Sequence, residues 1–173
     1  MHRVSRILSV LLVLLIAAPS LGAETKRIDK KIKSEANEYA VSLAAEGGEL
    51  GHAFVVWNKG DEVAKMTTQQ VVGFYPGADK NKFEAIFGLS PGKIWDDSKE
   101  KPDFVLIVLV NGDAYERARK VFDKWKSNGK YLLGFSDCTT FAAEIGAAIG
   151  LNMPNRIFAP YPIDYVKAIA AKN

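Results

Sequence analysis

The chain has very little cysteine: Cys138 is the only one among its 173 residues. A single thiol cannot form an internal bridge, so the fold cannot rest on the disulfide framework of many small exported proteins. A lone cysteine in such a chain is an inert buried thiol, an intermolecular partner or a reactive nucleophile. The residues around Cys138 therefore decide how it is interpreted.

Histidine is almost as scarce, since the chain holds only His2 and His52. One cysteine and one histidine beyond the first residues fall short of the four ligands of a structural zinc site. The sequence also lacks a phosphate-binding glycine loop, a paired-histidine helix motif and a Gly-x-Ser-x-Gly elbow. A serine hydrolase would still need His52, with no local signature to support it. We therefore expect no metal and no cofactor.

An excess of charge and a membrane-length apolar run are missing too. Beyond residue 23, 21 basic residues face 20 acidic ones, and this balance predicts no nucleic-acid partner. The apolar run at residues 7–18 is shorter than the roughly 20 residues of a membrane span. It follows a basic start and precedes small residues up to Ala23, the pattern of a secretory signal peptide, with an uncleaved anchor as the alternative. We expect cleavage near Ala23, export to the periplasm or beyond, and one domain over residues 24–173 with no integral membrane segment.

Helical periodicity and strand patterns occur in runs that do not alternate strictly, which indicates an α+β fold. Residues 26–46 carry apolar side chains near helical intervals and predict an amphipathic helix on the core, with a membrane-surface helix as the alternative. Residues 51–75 predict two antiparallel strands about a turn near Gly60. The apolar residues 104–110 predict a buried strand.

The remaining segments predict helices and one long loop. Residues 77–103 contain several glycines and prolines and predict a loop with a short helix. Asp113 is a candidate cap for a helix that ends at Asn128-Gly129. A further helix is predicted over residues 138–149, and a short one at the chain end.

Cys138 directly follows Asp137, a good N-cap residue, and so falls at the first position of that helix. The dipole and free N–H groups of a helix N-terminus favour an anion, so such a position activates a thiol and can also hold an oxyanion. The alternative is an inert core thiol, which the polar flanking residues Ser136 and Thr139 disfavour.

His52 is the candidate base for the thiol, because it starts a predicted strand that can aim an imidazole. A turn centred near Gly60-Asp61 would bring Gln69 or Gln70 opposite His52, where a side-chain oxygen could accept the far ring N–H. The alternatives are a core or edge histidine and glutamines on a solvated strand face.

Residues 129–154 resemble the nucleophile segment of NlpC-type cell-wall cysteine peptidases, which carry Tyr, a glycine-rich approach and Gly-Phe-Asp-Cys-Ser-Gly at a helix start. The resemblance as a whole covers roughly residues 50–76 and 130–162. The matching residues here are Tyr131, Gly134, Phe135, Asp137, Cys138, Gly150 and Pro154. Because His52 precedes Cys138, the order is similar to the circularly permuted branch, which includes lecithin:retinol acyltransferase-like proteins. The resemblance implies a permuted papain-like fold, an antiparallel sheet packed against helices, and a place for Tyr131 and Asp137 beside the substrate or oxyanion. Tyr131 could instead be a core tyrosine.

Together these patterns predict an exported cysteine hydrolase in which Cys138 attacks a carbonyl and His52 moves the proton. The resemblance implies amide bonds of peptidoglycan stem peptides as the substrate. Two alternatives stay open: a lipid or small-acyl amidase or acyltransferase, and a non-catalytic envelope binding module.

Overall fold

The computed structural model describes residues 22–32, 38–62, 65–77 and 90–173. Within them the fold is α+β: a seven-stranded mixed sheet with three α-helices. The strands are β1 (Glu24–Asp29), β2 (Glu38–Glu46), β3 (His52–Gly60), β4 (Thr67–Pro76), β5 (Ser90–Asp96), β6 (Phe104–Val110) and β7 (Lys130–Tyr131). The helices are α1 (Gly112–Asn128), α2 (Cys138–Ala148) and α3 (Pro162–Lys172), with a short 3-10 helix at Arg156–Phe158.

The sheet has the strand order β1-β6-β2-β3-β4-β5-β7. Its neighbours are antiparallel except for the parallel pair of β1 and β6. Alternate residues of the central strands join the apolar faces of the three helices in one buried cluster. Helix α2 packs against β3 and β4, while α3 packs against β2 and β6. Packing of this kind fixes the start of α2 relative to the strand that bears His52.

Several predicted elements are confirmed, namely β3, β4, the buried strand β6, and helices α1, α2 and α3. The cap expected at Asp113 is wrong by two residues, because α1 has its N-cap at Asn111 and Asp113 lies in the first turn. Residues 1–21, which carry most of the expected signal peptide, lie outside the described residues. None of the helices in the described part of the chain combines the length and the apolar character that a membrane span requires.

The predicted helix over residues 26–46 is wrong, because this stretch contributes strands β1 and β2 instead. Strand β2 pairs with β3 on one side and β6 on the other, and Val41, Leu43 and Ala44 are fully buried. Alanine and leucine are good helix formers, but burial between two strands outweighs that local preference.

The predicted long loop over residues 77–103 is also wrong in part, since residues 90–96 form β5 along the edge of β4. Proline and glycine are both disfavoured within strands, so Pro91 and Gly92 favour the predicted loop. Gly92 is required there because a Cβ would clash with the ring of Phe74 from the neighbouring strand. Residues 78–89, where part of that loop and its short helix were expected, lie outside the described residues.

Candidate active site

The thiol lies at the start of helix α2, as the sequence predicts. Cys138 is the first residue of the helix, and Asp137 is its N-cap. One carboxylate oxygen of Asp137 accepts the N–H groups of Thr139 and Thr140, each at 3.1 Å. The main-chain N–H of Phe141 goes to the Asp137 carbonyl. Among the described residues, the N–H of Cys138 is thus the one first-turn donor with no acceptor, so a single helix-start donor is available to an oxyanion.

Asp137 is buried and held by charge as well as by the cap. Arg156 donates to both carboxylate oxygens, at 2.9 and 2.6 Å, and the Gly134 N–H donates at 2.7 Å. Burial raises the pKa of Asp137, but the hydrogen bonds from Arg156 and from the main chain outweigh it and leave the pKa below its usual range. Asp137 is therefore a structural anion that fixes the backbone around the thiol, rather than a proton carrier.

His52 is placed in the same site by a strand of the sheet rather than by a helix. It is the first residue of β3, is 7% exposed, and lines the same cleft as Cys138. Burial lowers the pKa of His52, but hydrogen bonds with Asp97 and Cys138 and the charges of both raise it to about 9. His52 is accordingly protonated at neutral pH, and it interacts electrostatically with Cys138 across the cleft that both residues line.

The third residue of the site is Asp97, which the sequence reasoning missed. Its Oδ2 lies 3.0 Å from Nε2 of His52, and the aspartate is 3% exposed. Because Asp97 occupies Nε2, Nδ1 is the ring nitrogen left for the sulfur of Cys138. Gly73 faces this pair, and a Cβ there would clash with both His52 and Asp97. The only sequence signal is an acidic pair, Asp96-Asp97, directly after Ile94 and Trp95.

The expectation that Gln69 or Gln70 holds His52 is wrong in position. The register pairs Phe54 with Gly73 and Trp57 with Gln70, so Gln70 lies five residues from His52 along the sheet. Gln70 instead accepts a hydrogen bond from Arg119 at 2.9 Å, and Gln69 is exposed and bonded to Thr67. The reason is the connection after Gly60, which extends to Thr67, together with a bulge between Trp57 and Asn58.

Tyr131 lies in the same cleft and is half-buried. Burial raises the pKa of its hydroxyl, and the negative charges of Cys138 and Asp137 raise it further. The hydroxyl therefore stays protonated and can donate a hydrogen bond. Among the described residues it has no hydrogen-bond partner, so it is free to donate to a bound molecule.

The cleft that joins these groups has a volume of about 640 Å³ and a mostly apolar wall. The three connecting segments that contribute residues to its lining carry six of the eight large hydrophobic side chains that are exposed in the described part of the chain, and Leu50, Leu133 and Tyr161 among them line the cleft itself. We call this set the apolar rim: Leu50, Leu133, Phe135, Ile157, Phe158 and Tyr161. Exposed hydrophobic side chains that cluster in this way are typical of binding surfaces.

Carboxylates also border the cleft, at Glu46 and Glu100. Burial raises the pKa of Glu46, the Glu100 charge raises it further, and the charge of His52 opposes this rise. Within the ranges that the structure describes, no group of three or more His, Cys, Asp or Glu side chains could hold a metal ion. The arrangement as a whole can activate a thiol, move a proton and stabilise a developing oxyanion.

Comparison with known proteins gave no match to any protein-family model, curated protein or solved structure.

Proposed function

We propose that the protein is a cysteine hydrolase that cleaves amide bonds through a Cys138–His52–Asp97 triad. One observation carries the proposal: the only cysteine starts a capped helix in a cleft, beside a buried histidine whose far nitrogen is held by a buried aspartate. Nucleophile, base and orienting group are the three parts that covalent catalysis by a thiol requires. An inert core thiol needs none of them.

The proposed reaction begins when the Cys138 sulfur attacks the carbonyl carbon and forms an S–C bond, while the carbonyl π electrons move to the oxygen. The C–N bond then breaks, and the His52 imidazolium gives its proton to the leaving amine. This leaves a thioester and a neutral imidazole, which accepts a proton as water attacks. The second tetrahedral intermediate then collapses, the S–C bond breaks with its electron pair returning to the sulfur, and release of the acid leaves Cys138 and His52 in their starting charge states.

The oxyanion of both tetrahedral intermediates would be held by the Cys138 N–H and the Tyr131 hydroxyl. The Cys138 N–H has no acceptor in the described part of the chain. The Asp137 carboxylate accepts instead the next two N–H groups of the helix, those of Thr139 and Thr140. The pKa of the Tyr131 hydroxyl is raised, so the hydroxyl stays protonated in the cleft that it shares with Cys138. Preorganised donors of this kind are usually the largest catalytic contribution of an acyl-transfer site.

At the finer level we propose a permuted papain-like fold in an exported protein. The support is the chain order, in which His52 and Asp97 precede Cys138, the resemblance of residues 130–162 to NlpC-type peptidases, and the signal-like first 23 residues. Peptidoglycan stem peptides are the substrate class that export and this resemblance favour.

A second candidate is the hydrolysis or transfer of longer acyl groups from lipids, and the apolar rim favours it. A stem peptide is polar, whereas an acyl chain entering the cleft would meet the exposed hydrophobic side chains of the apolar rim, three of which line the cleft. The two candidates share every catalytic step and differ only in what the cleft mouth contacts.

Thiol labelling tests the chemistry without a known substrate. We expect iodoacetamide to alkylate Cys138 quickly at pH 6–7, and His52→Gln to slow the reaction at least about tenfold because the paired cation is lost. The matched control is Tyr39→Phe, which changes a polar side chain on β2 away from the cleft. Slow labelling with the pH profile of a free thiol, unchanged in His52→Gln, would refute the triad and favour a binding module.

Product analysis separates the two substrate classes. The protein and its Cys138→Ala variant are incubated with purified muropeptides and, separately, with N-acyl and O-acyl lipids. Shortened stem peptides produced only by the intact triad would support the first candidate. Release of fatty acid alone, reduced by Leu133→Ser or Phe158→Ser in the rim, would support the second.

A further inference from the structure

Tyr75 contacts both His52 and Asp97. Its hydroxyl donates to Oδ1 of Asp97 at 2.8 Å, while His52 holds Oδ2 of the same carboxylate at 3.0 Å. Its ring also packs on the imidazole, with centroids 4.5 Å apart and planes inclined by 31°. Tyr75 is thus bonded to one partner through its hydroxyl and packed on the other through its ring.

The sheet explains why Tyr75 can do this. Strand β4 pairs with β3 in a register that sets Gly73 opposite Phe54, and continuing it by two residues brings Tyr75 opposite His52. On the other side β4 pairs with β5, after which Asp97 follows directly. Tyr75 therefore sits on the strand between the two that supply the histidine and the aspartate.

The buried carboxylate needs this second donor. Asp97 is 3% exposed, and the described residues offer Oδ1 no other side-chain donor than Tyr75. A buried carboxylate oxygen without a donor is costly, and a carboxylate bonded at one oxygen only can rotate away. Burial, then the bond to Asp97 and its charge, raise the pKa of the Tyr75 hydroxyl, so it remains a donor at any working pH.

We propose that Tyr75 is a positioning residue that locks Asp97, and through Asp97 the ring of His52, in the orientation that leaves Nδ1 facing Cys138. The catalytic importance of Tyr75 rests on the proposed function. The contacts by which two neighbouring strands hold the Asp97 carboxylate at both oxygens do not depend on whether any substrate is cleaved.

The alternative role of Tyr75 is direct contact with substrate, since it also lines the cleft. The two roles differ in what Asp97 does. A positioning residue loses its effect once Asp97 can no longer act as a carboxylate, whereas a substrate contact keeps it. A double-mutant cycle with Asp97→Asn therefore separates them.

The experiment uses Tyr75→Phe, which keeps the ring and removes the hydroxyl, with Tyr39→Phe as the matched control. In histidine-labelled protein we expect a slowly exchanging Nε2–H signal of His52, assigned by its loss in His52→Gln. In Tyr75→Phe this proton should exchange roughly tenfold faster, and Cys138 alkylation should slow by a similar factor, as expected for losing a bond to a charged group. In the Asp97→Asn background, Tyr75→Phe should change the alkylation rate less than about twofold.

An unchanged Nε2–H exchange rate in a folded Tyr75→Phe protein would overturn the positioning role, as would equal effects of Tyr75→Phe with and without the Asp97 carboxylate. If instead Cys138 labels like a free thiol in the unaltered protein, the proposed function fails. The proton exchange measurement then still decides for or against the role of Tyr75.

Discussion

The two buried aspartates of the site, Asp97 and Asp137, have different origins and different duties. Asp137 takes three of its bonds from main-chain N–H groups within three residues of itself, and its guanidinium partner Arg156 comes from 19 residues away. Asp97 takes its two side-chain bonds from His52 and Tyr75, 45 and 22 residues away. Local capping makes Asp137 a structural part of the fold, whereas under the proposed function distant pairing makes Asp97 a part of the chemistry.

If that distinction holds, the largest effect on stability comes from Asp137. We expect Asp137→Ala to lower the free energy of unfolding by about 3–5 kcal/mol, since it removes the cap and leaves the Arg156 cation without its buried partner. The control is Asp113→Ala, an exposed acid in the first turn of α1, for which a change within about 0.5 kcal/mol is expected. Chemical denaturation measures both, and similar losses in the two variants would remove the special status of Asp137.

The next effect is on reactivity and comes from Asp97. In Asp97→Asn the amide oxygen can still accept the Nε2–H, but the charge that helps to raise the pKa of His52 is gone. We expect that pKa to fall from about 9 towards 6.5 and the labelling rate at neutral pH to fall about tenfold or more. Asp96→Asn is the matched control, because the carboxylate of Asp96 is exposed and accepts a hydrogen bond from Ser98. An unshifted histidine titration in Asp97→Asn would show that Asp97 does not act on His52.

His52 and Asp137 should also limit the pH range over which the fold is stable, His52 on the alkaline side and Asp137 on the acid side. His52 has a folded pKa of about 9, above its unfolded value, so its contribution is full below about pH 6.5 and is lost as the pH rises through 9. The pKa of Asp137 is lowered, so its contribution is present above about pH 4 and is lost as the pH falls through the folded value. We expect an alkaline loss on the order of 2 kcal/mol that flattens in His52→Gln but persists in Asp137→Asn. Denaturation curves at pH 6, 8 and 10 check this, and an equally steep alkaline loss in His52→Gln would contradict it.

The smallest effect is expected at the glutamines. Gln69→Ala should leave both stability, within about 0.5 kcal/mol, and Cys138 labelling unchanged, because its side chain bonds only to Thr67 on the surface. Gln70→Ala removes a bond to Arg119 and should cost about 1 kcal/mol without altering the labelling rate. Slower labelling in either variant would restore the glutamines as candidate partners of His52.

Sequence reasoning identified those elements whose patterns are unambiguous within a few residues. The apolar run 104–110 became β6, and the helix predicted to end at Asn128-Gly129 became α1, whose buried residues are Tyr115, Ala118, Phe122 and Trp125. It failed at β2, where an alanine-rich stretch is a strand because it lies between two others, and at β5, where Pro91 and Gly92 obscured a strand that pairs with β4. Both failures occur where pairing with a distant strand overrides local preference.

The residues of the candidate site show the same difference between local and distant contacts. The sequence by itself determined that Cys138 starts a helix capped by Asp137, because the bonds that make the cap span only two or three residues. Only the tertiary structure decided that His52 meets Asp97 and Tyr75 rather than Gln69 or Gln70, because strand register depends on the length of the connection after Gly60 and on a bulge. A shift of register moves every partner along the sheet, so no residue near His52 in the sequence could reveal which side chain holds it.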